Sequence, residues 1–103
     1  MKKIPKIFQK NGFNYVLEKR KDKIAIYKQM KEDVLYGWEV HKIRIAKPSV
    51  MKIGNKVKEF PLREILAYNE DFGQYGWAFQ NKDSAIKKFQ ELSSTNIFPV
   101  NLP

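Results

Sequence analysis

The chain has 103 residues, of which 43% are hydrophobic and 14% aromatic, and it carries a net charge of +9. A chain of this length can bury one modest core, so we expect a single domain over residues 1–103. Because cysteine is absent from the sequence, disulfide bonds, thiolate zinc sites and cysteine nucleophiles are excluded.

The N-terminal part is predicted to form an arm and then a hairpin. Residues 1–11 are rich in lysine and contain Pro5, which indicates a basic arm or a short edge segment. Apolar residues then alternate with polar ones over 13–30, the pattern of a β-hairpin with one buried face. Its turn is expected at 20–23, where Asp22 suits a turn conformation.

A connection and a third strand are predicted next. Residues 31–38 have the character of a polar connection. Residues 38–46 alternate but change phase midway, which indicates a β-bulge near His41 and Lys42. Pro48 is expected to end this strand, because proline lacks the N–H group that a strand ladder needs.

The middle of the chain is predicted to contain a second hairpin and a short helical segment. Residues 51–60 have the pattern of a hairpin, with Gly54 and Asn55 at its turn. Residues 62–68 are ambiguous and are expected to form one or two helical turns. Residues 69–79, with the sequence NEDFGQYGWAF, are expected to form a turn that leads into a buried strand.

An amphipathic helix is predicted over residues 81–94, because apolar residues recur there with helical spacing. The apolar stripe consists of Ala85, Ile86, Phe89 and Leu92. The candidate N-cap residues are Asn81, Asp83 and Ser84. The core is therefore expected over 12–92, and residues 93–103 are predicted to be a tail that Ile97 and Phe98 hold against the body.

These elements together predict an α+β fold. We expect an antiparallel sheet of four or five strands with one C-terminal helix packed on one face. The aromatic residues expected in the core are Phe13, Tyr15, Trp38, Phe60, Trp77, Phe79 and Phe89.

The order of these motifs resembles that of a group of short proteins from bacteriophages, plasmids and other mobile elements. The resemblance covers roughly residues 13–92, and its most specific part is the segment FGQYGWAF that precedes the helix. It implies a setting, in which such a protein handles nucleic acid or blocks a host defence. It carries over no functional residue. Because the sequence has no cysteine, no apolar run of signal-peptide length and no run long enough to span a membrane, we expect a cytoplasmic protein with no membrane partner, and the resemblance implies that the cell is a bacterial host.

The positive charge lies almost entirely in the first part of the chain. Residues 1–58 hold 16 Lys or Arg and 5 Asp or Glu, for a net charge of +11, whereas residues 59–103 have a net charge of −2. Such a distribution favours an anionic partner, and nucleic acid is the commonest one. Lysines that only keep the protein soluble are the alternative explanation.

The candidate nucleic-acid contacts are basic residues of the predicted hairpins, combined with two tyrosines. Positive side chains that follow phosphates, beside rings that stack on bases, are typical of single-strand binding proteins. The phosphate contacts are predicted to be Arg20, Lys21, Lys23, Lys42, Arg44, Lys56 and Lys58. Tyr27 and Tyr36 are the predicted stacking rings; alternatively, both pack into the core with only their hydroxyl groups exposed.

No catalytic signature emerges from the sequence, so we predict that the protein is not an enzyme and needs no metal or cofactor. His41 lacks a nucleophile or metal partner at a readable spacing. Glu64, Glu70 and Asp71 are acidic residues of the kind that bind Mg²⁺ in nucleases, but acidic residues in a loop often only cap a turn. The Gly73–Gly76 spacing does not match a phosphate-binding loop.

The sequence thus predicts a non-enzymatic binding protein that contacts nucleic acid through a basic sheet or hairpin surface. A protein that inhibits a host enzyme or defence system, for example an anti-CRISPR inhibitor of a nuclease complex, is the alternative. Phe72 and Tyr75 are the candidate protein-binding residues for that role. The choice between DNA and RNA, and between a monomer and a homodimer, stays open at this point.

Overall fold

A computed structural model of the protein describes residues 1–94, and within them the fold is α+β, as predicted. The predicted contacts of Ile97 and Phe98 lie outside the described residues. The elements in chain order are β1 (Ile7–Lys10), β2 (Phe13–Lys21), β3 (Ile24–Lys31), β4 (Val34–Lys42), β5 (Arg44–Ala46), β6 (Ser49–Ile53), β7 (Lys56–Phe60), β8 (Arg63–Ile65), a 3₁₀ turn (Asn69–Asp71), β9 (Gly76–Phe79) and α1 (Lys82–Ser94).

The main sheet has five antiparallel strands in the order β1-β2-β3-β4-β9. Two-residue turns join its first four strands. Asn11 and Gly12, between β1 and β2, both have positive φ angles, which give a turn the twist that a tight hairpin needs. Glu32 and Asp33 have the same property between β3 and β4, so the predicted polar connection over 31–38 is wrong: β4 already begins at Val34.

One face of the main sheet packs against α1. Ile26 and Val40 on the sheet meet Ala85 and Phe89 on the helix, and all four side chains are buried. The predicted cap of α1 is confirmed at Asn81, whose Oδ1 accepts the backbone N–H of Ser84 at 3.2 Å. No helix in the described part of the chain has the length and apolar character needed to cross a membrane.

The second face of the main sheet is covered by the N-terminal residues and the segment around β8. Ile4 packs there against Tyr15 and Tyr27 in a second buried cluster. The prediction of a basic arm over residues 1–11 is therefore wrong, because β1 forms an edge strand of the sheet and Ile4 is part of the core. The other expectation for this segment, a short edge strand, is correct.

Of the aromatic residues predicted for the core, three are buried and four are half-buried. The buried ones are Tyr15, Trp38 and Phe89, and the half-buried ones are Phe13, Phe60, Trp77 and Phe79. Phe79 packs against the helix-side cluster, as expected. The side-chain nitrogen Nζ of Lys88 lies 4.6 Å from the Trp77 ring centroid, so Trp77 packs at the edge of the helix.

The chain leaves the main sheet after β4 to form two small, two-stranded sheets. β5 pairs with β8, and β6 pairs with β7. The phase change predicted as a bulge near His41 and Lys42 is thus a break between strands, because β5 belongs to another sheet. The helical turns predicted over 62–68 are also wrong, since Arg63–Ile65 forms the strand β8.

Candidate nucleic-acid interface

The hairpin made by β6 and β7, Ser49–Phe60, projects from the body of the protein, and we call it the projecting hairpin. Its residue pairs run from Ser49 opposite Phe60 to Ile53 opposite Lys56, and its strands pair with no other strand in residues 1–94. Gly54 opens its turn with a φ of 60°, as a two-residue turn with glycine in first position requires. The predicted hairpin and its turn are therefore confirmed.

Every residue of the projecting hairpin's two strands except Phe60 is exposed to solvent. Lys52, Lys56 and Lys58 form no ion pair within the described residues. The exposed aliphatic side chains are Val50, Met51, Ile53 and Val57, each exposed by more than half. Because opposite residues share a face, Lys56 and Lys58 lie on one face of the ribbon and Lys52 lies on the other.

Phe60 anchors the base of the projecting hairpin. The Lys58 ammonium lies 5.2 Å from the centroid of its ring, and the Arg63 guanidinium lies 4.9 Å from it. Cations attracted to the ring quadrupole hold this half-buried ring where the ribbon joins the body. The ribbon is therefore fixed at its base, and its far end extends into solvent.

Three of the predicted phosphate contacts meet near the point where the chain leaves the main sheet. Lys21, Lys23 and Lys42, which we call the root cluster, line a depression of about 450 Å³ beside the end of α1. The backbone N–H of Ile43 donates to the carbonyl oxygen of Lys23 at 2.6 Å, which brings the β2–β3 turn against the exit of β4.

Arg20, in contrast, is not available as a phosphate contact. Its Nη1 and Nη2 atoms donate to the two carboxylate oxygens of Glu64, both at 2.7 Å. Glu64 also accepts the backbone N–H of Ile4 at 3.1 Å. The Arg20 guanidinium lowers the pKa of Glu64 from 4.5 to about 2. Through these hydrogen bonds, Glu64 connects β8 with β2 and with the N-terminal residues.

Arg44 is also held within the protein. Its Nη2 donates to Oδ2 of Asp71 at 2.5 Å, and its guanidinium stacks over the Tyr75 ring at 4.2 Å. The same carboxylate caps the 3₁₀ turn by accepting the backbone N–H of Tyr68 at 3.0 Å. This hydrogen bond and the Arg44 contact lower the pKa of Asp71. The prediction that Arg44 contacts phosphate is therefore corrected, because Arg44 fixes the segment after β8.

The prediction that Tyr27 is a stacking ring is wrong. It is fully buried, and its hydroxyl donates to the carbonyl oxygen of Pro5 at 2.6 Å, so it cannot stack on a base. Burial raises its pKa to about 12. Tyr36 is 51% exposed and makes a T-shaped contact with Phe13, with ring centroids 5.4 Å apart. About 20 Å of strand separates Tyr36 from Lys42, so Tyr36 lies away from the root cluster.

The segment 69–79 has a structural role, because its residues pack against the body of the protein. Gly76 faces the body so closely that a Cβ atom there would lie 2.7 Å from the Cβ of Ala67, which explains why this position needs glycine. Phe72 is half-buried in a T-shaped contact with the His41 ring, and Tyr75 is half-buried beneath Arg44. Neither predicted protein-binding residue presents a free ring to solvent.

The remaining candidates, four polar side chains, have separate roles. Glu64 is in its ion pair, Asp71 caps the 3₁₀ turn, and Glu70 is exposed. His41 is buried and hydrogen-bonded to Glu39. Within residues 1–94, no group of three or more His, Asp or Glu side chains is placed to hold a metal ion.

Comparisons of the chain with protein-family models, with curated protein sequences and with solved structures gave no match.

Proposed function

We propose that the protein is a non-enzymatic binding protein that contacts nucleic acid through the projecting hairpin and the root cluster. The observation that carries this proposal is the hairpin itself, an exposed ribbon whose three lysines have no acidic partner in the described residues. We also propose that the protein is a product of a bacteriophage or mobile element and that it acts inside a bacterial host cell.

The dimensions of the ribbon suit a nucleic-acid groove. Two paired strands lie about 5 Å apart, and five residues of strand extend about 17 Å. The major groove of B-form DNA is about 12 Å wide and admits a two-stranded ribbon. Lysines on both faces of the ribbon would then reach the phosphates on either side of the groove, and the root cluster would extend the contact along the backbone.

Salt dependence tests this proposal, because binding to phosphates releases counterions. We expect the protein to bind labelled DNA at low salt, with an affinity that falls steeply as salt rises. The triple variant K52Q/K56Q/K58Q should reduce the slope of log K against log salt by up to about 2.7, because each phosphate that a lysine neutralises contributes about 0.9 to that slope.

The matched control is K6Q/K31Q/K87Q, which removes the same charge from exposed lysines outside the projecting hairpin. It should retain most of the affinity. Equal losses of affinity in the two triple variants would mean that only net charge matters. Absence of binding to single- or double-stranded DNA and RNA at about 50 mM salt would reject the proposal.

The aliphatic side chains of the ribbon favour a second candidate function, which is inhibition of a host enzyme by protein contact. Val50 and Val57 are 65% and 63% exposed, and exposed aliphatic groups beside charges are typical of protein-binding surfaces. V50S/V57S separates the two functions. It should weaken capture of a host protein from a nuclease-treated lysate if that protein is the target, whereas phosphate binding should persist.

A further inference from the structure

A cavity of about 330 Å³ lies on the second face of the main sheet, away from the helix. Its walls are mainly apolar, and Ile4, Phe8 and Leu66 contribute to them. Glu39 and His41, which point to this face of β4, are buried polar residues at its floor. Small-molecule sites have this composition, with apolar walls and a few polar groups that fix the orientation of the ligand.

The hydrogen bonds at the floor of the cavity indicate which ring nitrogen of His41 carries the proton. Nδ1 of His41 accepts the backbone N–H of Ala67 at 3.1 Å, so this nitrogen carries no proton. Nε2 therefore carries the proton and donates it to Oε1 of Glu39 at 2.9 Å. The ring in this arrangement is neutral, and it brings no positive charge to Glu39.

Glu39 has a hydrogen-bond donor in His41 but no cationic partner. Burial and the charge of Glu39 raise the pKa of the nearby Tyr15 hydroxyl, which accepts the side-chain amide of Gln29 at 3.1 Å, to about 12. No Lys or Arg in residues 1–94 forms an ion pair with this carboxylate, although Glu39 is only 8% exposed. A buried carboxylate without a counter-charge is unfavourable, and a cation placed beside it would relieve that cost.

The second carboxylate at the cavity, Glu64, differs in this respect. Arg20 already binds both of its oxygens, and the backbone of Ile4 donates a further hydrogen bond. Lys10 lies at the cavity, but its Nζ lies 5.7 Å from the centroid of the Phe72 ring. The cavity therefore contains one unneutralised acid within apolar walls.

We propose that this cavity binds a small organic cation, with its ammonium or amidinium group against Glu39 and its apolar part against Ile4, Phe8 and Leu66. The charge complementarity and the apolar lining together define this class of ligand. The site is separate from the projecting hairpin, so it does not depend on the proposed binding of nucleic acid.

Titration with benzylammonium, followed by the amide and histidine signals in NMR spectra, tests this inference. We expect saturable shifts of the Ala67 amide and the His41 ring. Benzyl alcohol, which has a similar shape but no charge, should bind at least tenfold more weakly. E39Q should reduce benzylammonium affinity by a similar factor, and K10Q should increase it several-fold because a like charge is removed.

The control E91Q removes an exposed carboxylate from α1 and should leave the affinity unchanged. The inference is overturned if benzylammonium gives no saturable shifts below about 10 mM. Equal affinity for benzyl alcohol would overturn it as well. This comparison uses the unaltered protein, so it decides the question even if E39Q does not fold.

Discussion

The body of the protein and the projecting hairpin use positive charge in opposite ways. In the body, Arg20 and Arg44 donate to Glu64 and Asp71 and thereby connect segments that are distant in the sequence. In the hairpin, the exposed lysines have no acidic partner among residues 1–94, and one of them, Lys58, lies over the Phe60 ring. The number of basic residues in a segment therefore does not indicate a binding surface until each residue's partner is known.

The side-chain chemistry of arginine and lysine explains part of this difference. The guanidinium group is planar and matches the two oxygens of a carboxylate, which suits the bidentate contact of Arg20 with Glu64. The lysine ammonium is compact and strongly hydrated, so it remains in water unless an anion is brought to it. These two arginines stabilise the fold, and the hairpin lysines remain able to contact a partner.

The largest expected effect on the body is that of Tyr27→Ala. Truncation of a buried aromatic side chain costs about 3–5 kcal/mol, which is a large part of the total stability of a small domain. The free energy of unfolding from urea titrations measures this loss. A variant of full stability with weakened affinity for nucleic acid would instead restore Tyr27 as a binding residue.

Glu64→Gln should have an intermediate effect. It leaves the partly buried Arg20 guanidinium without its charged partner, and we expect a loss of about 2 kcal/mol at neutral pH. Denaturant titration of this variant beside E91Q, which removes an exposed carboxylate, measures the difference. A loss no greater than that of E91Q would show that the ion pair contributes little.

The same ion pair predicts how stability depends on pH. The pKa of Glu64 is lowered to about 2 in the folded protein, against 4.5 without the interaction. Its contribution to stability is therefore complete above about pH 4.5 and is lost as the pH falls toward 2. Thermal melting between pH 6 and 2 should show a weaker pH dependence for E64Q than for the unaltered protein, and identical curves would contradict the assignment.

Tyr36→Ala should have the smallest effect of these substitutions. Tyr36 is half-exposed, and its contact with Phe13 is worth about 1 kcal/mol. Because it lies about 20 Å of strand from the root cluster, nucleic-acid affinity should not change. Fluorescence anisotropy measures that affinity. A loss of about 1–3 kcal/mol would show that a base stacks on this ring and that the contact surface is larger than proposed.

Much of the fold follows from local patterns in the sequence. The hairpin at Gly54 and the helix with its Asn81 cap carry strong local signals, and both are predictable from them. The turn at Glu32 and Asp33 escapes prediction because neither residue is a glycine, although both adopt positive φ angles. The break after Lys42 resembles a bulge in the sequence, because alternation within one strand does not reveal which sheet the next residues join.

The candidate site is predictable only in part, because its exposure depends on distant contacts. Arg20 meets Glu64 across 44 positions of sequence, and no local pattern reveals that pairing. Tyr27 resembles an exposed ring in the sequence, but the N-terminal residues cover it. The exposure of the projecting hairpin could be predicted from its sequence. Its apolar residues Val50, Met51, Ile53 and Val57 are divided between the two faces, so neither face is uniformly apolar and able to pack on a core.

Replacement of the projecting hairpin by a tight turn tests the central claim most directly. Ser49 and Phe60 are opposite residues, so an Asn-Gly turn can join them in place of residues 50–59. The claim predicts that this variant keeps the melting temperature of the unaltered protein to within a few degrees and binds nucleic acid much more weakly, with a salt slope lowered by up to about 2.7. A folded variant that binds nucleic acid as before, or a body that unfolds without the hairpin, would contradict the claim.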